Sequence, residues 1–155
     1  MDAQLPASID LEVVTPERRV VSASVQGVTL QGAGGELGIL PGHAPLVTEL
    51  SPGLLSWEEN GSQRVLAASS GFAEVLPGRV IVLVETAEAP EEIDLERARA
   101  AMHRAADRLK KPVSSEEDMK EAAAAKDELA RAAARLQAAS KLPRAQGKES
   151  SAGAV

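Results

Sequence analysis

The sequence predicts an all-β sandwich or flattened barrel followed by an antiparallel αα-hairpin, and three observations carry that reading. Ten of the twelve glycines lie at or before Gly78, and none falls between Gly78 and Gly147. Twelve of the fourteen valines lie at or before Val84, and beyond Pro90 the chain fills with Ala, Glu, Arg and Lys. Short apolar or alternating runs in the first part are separated by turn chemistry. β-branched residues suit pleated strands, whereas Ala and long unbranched side chains suit helix. Strands first and helices second make two units rather than one mixed sheet. The units fall at residues 1–87 and 88–139, with a polar tail, expected to be disordered, over 140–155.

In the first unit, residues 9–13 (Ile9, Asp10, Leu11, Glu12, Val13) alternate with period two, and Thr15-Pro16-Glu17 breaks the run. Residues 20–30 read as one longer strand with Gly27 as a bulge. Further strands are expected at 46–50, 54–57, 64–68, 72–76 and 80–85. Ser51-Pro52-Gly53, Glu59-Asn60-Gly61-Ser62, Ser70-Gly71 and Pro77-Gly78 stand between them as turns. Seven or more short strands at this spacing imply a sandwich or flattened barrel.

The second unit reads as two helices. The first runs from Glu91 or Glu92 to Lys110–Lys111, acidic at its start and basic at its end, as the helix dipole favours. The second opens at Ser114 or Ser115, with Ser115 and Asp118 (or Ser114 and Glu117) spaced like a capping box, and ends near Ala139. Ala98, Met102, Ala105 and Leu109 form one seam; Ala122, Ala125, Leu129, Ala132 and Leu136 form the other. An alanine methyl contributes on the order of 1 kcal/mol on burial, against roughly 1.5–3 for Leu or Val. The hairpin is therefore expected to detach easily.

Composition excludes several functions. There is no cysteine, hence no thiol nucleophile, disulfide or thiolate metal site, and His43 and His103 alone make no metal cage. Trp57 and Phe72 are the only aromatics, too few for a base- or sugar-stacking platform. A net charge of −6 argues against nucleic acid, which needs a basic face. The aliphatic run at 80–84 is far short of the roughly 20 residues of a spanning helix, and the N-terminus lacks the charge pattern of a signal peptide. A soluble, intracellular protein without direct membrane insertion is expected. The charge is uneven: residues through Ala87 carry 4 basic and 10 acidic side chains, residues 88–139 carry 10 and 12, and the tail 3 and 1.

The densest motif runs from Gly34 to Pro45: Gly34-Gly35-Glu36-Leu37-Gly38-Ile39-Leu40-Pro41-Gly42-His43-Ala44-Pro45. It lacks the Lys or Arg and the following helix of a phosphate loop. His43 has no Ser, Cys or second acid at a catalytic spacing and reads as a structural turn residue. This segment, with Ser70-Gly71-Phe72-Ala73-Glu74-Val75 downstream, resembles the epsilon subunit of bacterial F-type ATP synthases over residues 5 to 139. Ser70 stands where that family often has a second glycine, and the tail past Ser140 extends beyond the usual end.

Ile93-Asp94-Leu95-Glu96-Arg97-Ala98 is similar to that family's nucleotide-binding signature. The resemblance implies a site of Ile93, Asp94, Arg97 and Ala98, with Arg104, Arg131 and Arg135 from later in the helices and Glu88 as a weaker match. Spacing adds an independent argument: Arg97 and Arg104 lie two turns apart on one face, Arg131 and Arg135 one turn apart on another. A folded hairpin is expected to gather these guanidiniums, whose planar forks suit phosphate. Against this, the 12 acids and 10 bases of the hairpin would also allow simple surface pairing.

The resemblance implies a non-catalytic central-stalk subunit that needs no cofactor, with ATP as a candidate regulatory ligand. The sandwich would dock on the gamma subunit and the c-ring, and the hairpin would reach the alpha and beta subunits of the catalytic head and inhibit hydrolysis. The implied location is peripheral, on the cytoplasmic face of the bacterial plasma membrane. The alternative from another class is a stand-alone β-sandwich binding module with an oligomerising hairpin.

Overall fold

A computed structural model describes residues 4–142. Strand β1 (Ile9–Val14) turns Ile9, Leu11 and Val13 fully inward and Asp10 outward, as its alternation requires. It lies between β2 (Arg19–Val25), antiparallel, and β9 (Arg79–Val84), parallel. The long strand expected over 20–30 is divided. β3 (Gly27–Gly32) leaves β1 for other partners, and at the junction Gln26 donates its N–H to the Glu58 carbonyl at 2.9 Å. The apolar run is continuous, but its hydrogen-bond partners change, so a bulge at Gly27 becomes a break.

The glycine-rich segment read as a loop contains a strand, β4 (Gly35–Ile39), antiparallel to β3 with Leu30 opposite Leu37 and Val28 opposite Ile39. Gly35 opens it at φ 130°, a conformation that side chains rarely adopt. Strands β5 (Leu46–Leu50), β6 (Gly53–Glu59), β7 (Ser62–Ala68) and β8 (Gly71–Leu76) fall where expected. The β6–β7 turn places Asn60 and Gly61 at φ 51° and 76°, the positive pair of a tight hairpin. Gly71 faces Val84, and a Cβ there would sit 1.9 Å from the Leu83 carbonyl oxygen, so only glycine fits. A two-residue strand, β10 (Ala87–Glu88), not foreseen, pairs with β7.

The strand order is β10-β7-β6-β3-β5-β8-β9-β1-β2, with β4 on β3. The sheet wraps around one core in which Ile9, Leu11, Leu30, Ile39, Val75 and Val82 are almost completely buried. This is the β-sandwich, or nearly closed barrel, that the sequence predicts.

Helix starts are corrected by a few residues. Pro90–Glu92 forms a 3₁₀ turn in which the Glu92 carboxylate accepts the Ala89 N–H at 2.9 Å, and α1 (Leu95–Leu109) begins only after it. Its cap is Asp94, whose Oδ1 accepts the Arg97 N–H at 3.1 Å. Helix α2 (Glu116–Ala139) is capped by Ser115, whose hydroxyl accepts the Asp118 N–H at 3.1 Å. The Asp118 carboxylate in turn accepts the Ser114 N–H at 3.0 Å and the Ser114 hydroxyl at 2.9 Å. Residues 143–155 of the expected tail lie outside the described residues.

Of the expected seams, Ala98, Ala105, Ala125 and Ala132 are buried, while Met102, Leu109, Ala122, Leu129 and Leu136 are half-buried. Ala134 and Ala138 belong to a second face of α2. They pack on Ala67 of β7, with Leu54, Val65 and Ile93 around them. The hairpin thus folds back on the sandwich through small side chains, beside two ion pairs, Arg135 to Glu88 and Arg18 to Glu92.

Candidate functional site

The candidate site forms where the chain leaves the sheet and enters the hairpin. Pairing of β10 with β7 fixes Glu88 opposite Ala67, at the foot of α2. Four residues after the strand, Glu92 closes the 3₁₀ turn. Asp94 then caps α1 and places Arg97 in its first turn. A pocket of about 210 Å³ results, lined by Glu88, Glu92, Asp94, Arg97, Ala98 and Arg135. Ala98 is 2% exposed, and its small side chain permits close approach of the helices.

Arg135 is held by Glu88: its Nε and Nη2 both donate to Glu88 Oε1, at 3.0 and 2.7 Å. Arg97 lines the pocket without an ion-pair partner among the described residues. Three carboxylates therefore face two guanidiniums in this pocket.

Arg131 adjoins it. With Ser69, Thr86, Glu88 and Arg135 it lines a second cavity of about 10 Å³, at most the room of one water. Its Nε is buried and lies 3.0 Å from Asp127 Oδ2, yet makes no hydrogen bond, because the N–H is not directed at that oxygen. Arg104 lies elsewhere. Seven residues of helix carry it about 10 Å along the axis from Arg97, and it faces Glu128 of α2 at 3.6 Å. Glu128 also accepts from Arg108 at 2.7 Å, and Arg108 lies 3.6 Å from Glu121. Ile93 belongs to the apolar cluster under α2 and orients the segment rather than lining the pocket.

The structure therefore brings Asp94, Arg97, Ala98 and Arg135 together, sets Arg131 beside them and holds Arg104 further down the hairpin. The Glu88–Arg135 pair is the feature sequence reasoning undervalued. The two residues are 47 positions apart, and only the docking of α2 on the sheet joins them. Glu88 was visible as an acid just before the first helix, but nothing in the sequence assigned it a partner.

Chemically, the site offers forked donors and carboxylates but no nucleophile with an adjacent base. His43 is half-buried just after the Pro41–Gly42 turn, its Nδ1 2.7 Å from the Ala44 carbonyl oxygen. A second surface lies on the sandwich. Val47, Phe72 and Leu83, from β5, β8 and β9, project to solvent, and Phe72 stands opposite Leu83 in the register. Among the described residues no helix is long and apolar enough to cross a membrane.

These features define a two-part protein, a β-sandwich with a helical hairpin docked on β6 and β7. The comparisons with known proteins agree. The family model for the ATP synthase delta/epsilon chain β-sandwich domain matches residues 8–90, and that for its long α-helix domain matches residues 91–140. The ATP synthase epsilon chain of Geotalea uraniireducens is 46% identical over 136 residues, 88% of this chain and 96% of that one. That of Trichlorobacter lovleyi is 46% identical over 134 residues, covering 86% and 95%. Among solved structures, a chain of the Euglena gracilis mitochondrial ATP synthase, in an assembly of OSCP, F1 and c-ring, superposes with a TM-score of 0.74. It is 29% identical and covers 90% of this chain and 85% of that one.

The chain belongs to the ATP synthase delta/epsilon family, among the epsilon chains, and is accordingly a non-catalytic subunit of the central stalk of a membrane-associated ATP synthase. Membership in that family sets aside the stand-alone module with an oligomerising hairpin.

Proposed function

We propose that the chain couples rotation to catalysis through its sandwich and restrains ATP hydrolysis through its hairpin, with ATP as the ligand that keeps the hairpin folded. The units are residues 1–87 for docking and 88–139 for regulation. The exposed Phe72–Leu83 pair, with Val47 on the same face opposite Glu74, supports docking on the gamma subunit, since apolar side chains on an open sheet face gain by being covered. The assembly with F1 and c-ring that contains the Euglena gracilis chain supports the c-ring as the second partner and the alpha and beta subunits as the hairpin's targets. The reading carries with it a peripheral position on the cytoplasmic face of the plasma membrane in a bacterium.

The observation that carries the regulatory reading is the thinness of the hairpin's attachment. α2 rests on the sheet through Ala67, Ala134 and Ala138, with larger side chains only at the margin. A ligand that binds the folded form alone adds RT ln(1 + [L]/Kd), roughly 2.7 kcal/mol at a hundredfold excess over Kd. That is comparable with what a few alanine methyls contribute, so occupancy of the pocket would decide the conformation. Ile93, Asp94, Arg97, Ala98, Arg104, Arg131 and Arg135 are the candidate ligand set. In this arrangement Arg97 is the guanidinium free to receive a phosphate first.

Two experiments test the proposal. Titration calorimetry of the full chain with Mg-ATP should give saturable heat; none at millimolar nucleotide would remove ATP as the ligand. Deleting residues from Glu91 onward should raise ATP hydrolysis by the assembled synthase while assembly persists. Unchanged hydrolysis would refute inhibition by the hairpin.

A further inference from the structure

We propose that Asp127 and Glu128 set the anion affinity of the arginine face, acting as built-in counter-ions that an incoming phosphate must displace from Arg131 and Arg104. This rests on the reading of that face as a phosphate site and names what limits it. All of the expected arginines except Arg97 already face a carboxylate: Arg135 faces Glu88, Arg131 faces Asp127, and Arg104 faces Glu128. All three carboxylates are tethered to the same chain, Asp127 and Glu128 on the hairpin and Glu88 on β10. Their effective concentration is therefore fixed and high, and a free phosphate competes against it.

The contacts of Asp127 and Glu128 are the releasable ones. Asp127 lies one helical turn before Arg131 and comes within 3.0 Å of its Nε, but no hydrogen bond forms and that buried donor is unused. Glu128 spends its short contact, 2.7 Å, on Arg108 and holds Arg104 only at 3.6 Å. Arg108 has Glu121 as a second partner at 3.6 Å, so loss of the Glu128 charge leaves it compensated while Arg104 is freed. Neutral amides at 127 and 128 would keep the shape of α2, uncover two guanidiniums and leave Glu88 and the pocket lining unchanged. The number of arginines alone then does not predict affinity; the acids that face them do.

The test compares the full-length chain, Asp127→Asn with Glu128→Gln, and Glu116→Gln by calorimetry at low salt, with ATP and separately with inorganic tripolyphosphate. Glu116→Gln removes one negative charge from the same helix at its far end, where Glu116 pairs with Lys120. Circular dichroism checks that helix content is kept. The double variant should bind both anions about tenfold more tightly than the parent, about threefold from each released pair. Glu116→Gln should bind like the parent. Equal or weaker binding by the double variant overturns the proposal, as does an equal gain from Glu116→Gln, which would mean a general charge effect. If tripolyphosphate binding tightens while ATP gives no heat with any of the three proteins, the nucleotide reading falls and this inference stands. If neither anion binds any of them, both fall.

Discussion

Leu11 and Ala132 are both buried, yet they are buried by different kinds of packing. Around Leu11, branched side chains from successive strands interlock: Ile9, Val13, Val80 and Val82 are all fully enclosed. Each would contribute roughly 1.5–3 kcal/mol by leaving water. Ala132 lies in the hairpin, whose buried side chains are all alanines, and ion pairs stand at its margin. The sandwich thus buries the larger side chains and the hairpin the smaller ones. That difference is what a stalk subunit needs if one part stays docked while another moves. Four perturbations test the contrast, the largest effect first.

Leu11→Ala removes a fully buried side chain from the strand that lies between β2 and β9. A loss of about 2–5 kcal/mol is expected from the transfer term and the cavity left behind. Urea unfolding followed through Trp57, itself 6% exposed in the sandwich, should report it. A loss below about 1 kcal/mol would contradict a tightly packed core.

Ala138→Asp sets a carboxylate against Ala67, where α2 meets the sheet. Burying an unpaired charge is costly. The hairpin has an escape, however: by swinging away it restores the carboxylate to water and loses only the docking energy. The sandwich should therefore keep its melting temperature, while the 88–94 segment becomes more sensitive to protease. Global unfolding instead would mean that hairpin and sandwich form one cooperative unit.

How far these features could be read from the sequence differs between the two regions for the same physical reason. In β1, Ile9, Leu11 and Val13 alternate with Asp10 and Glu12, so both the strand and its buried face were legible. β4 was hidden because Gly35 and Gly38 read as loop, and only the free edge of β3 makes that segment a strand. In α2, Ala125 and Ala132 were placed correctly on the seam. Ala134 and Ala138 were missed because alanine carries no contrast by which to tell a second buried face. In the site, Asp94, Arg97 and Ala98 were legible as a local motif. The tethering of Arg135 by Glu88 was not, since it needs the sheet and the far end of the hairpin together.

Glu88→Gln probes the attachment more gently. It keeps the size of the side chain but replaces a charge-assisted pair, both partners about a third exposed, with a neutral contact. Solvent screening limits the effect to about 1 kcal/mol. Amide exchange in α2 should accelerate severalfold without nucleotide, and the difference from the parent should shrink in high salt. No change in exchange would mean that the alanine contacts alone hold the hairpin.

The smallest effect is expected at the start of α2, far from the sandwich. The Asp118 carboxyl is held below its ordinary value of 3.8, first by the Ser114 backbone N–H and then by the Ser115 and Ser114 hydroxyls. A carboxyl lowered in this way favours the folded helix fully above its unfolded value. That contribution fades as the pH falls through 3.8 toward the folded value. Acid should therefore fray the first turn of α2 before it touches the sheet, and the protection of the Ser114 and Asp118 amides, measured against the intrinsic exchange rate at each pH, should fall between neutral pH and the region below 3.8. Asp118→Asn should flatten that response because the group no longer titrates. If Ser114 exchange follows the same pH course in the variant and the parent, the cap does not depend on the charge of Asp118, and the sensitivity lies in the other acids of that turn, Glu116 and Glu117.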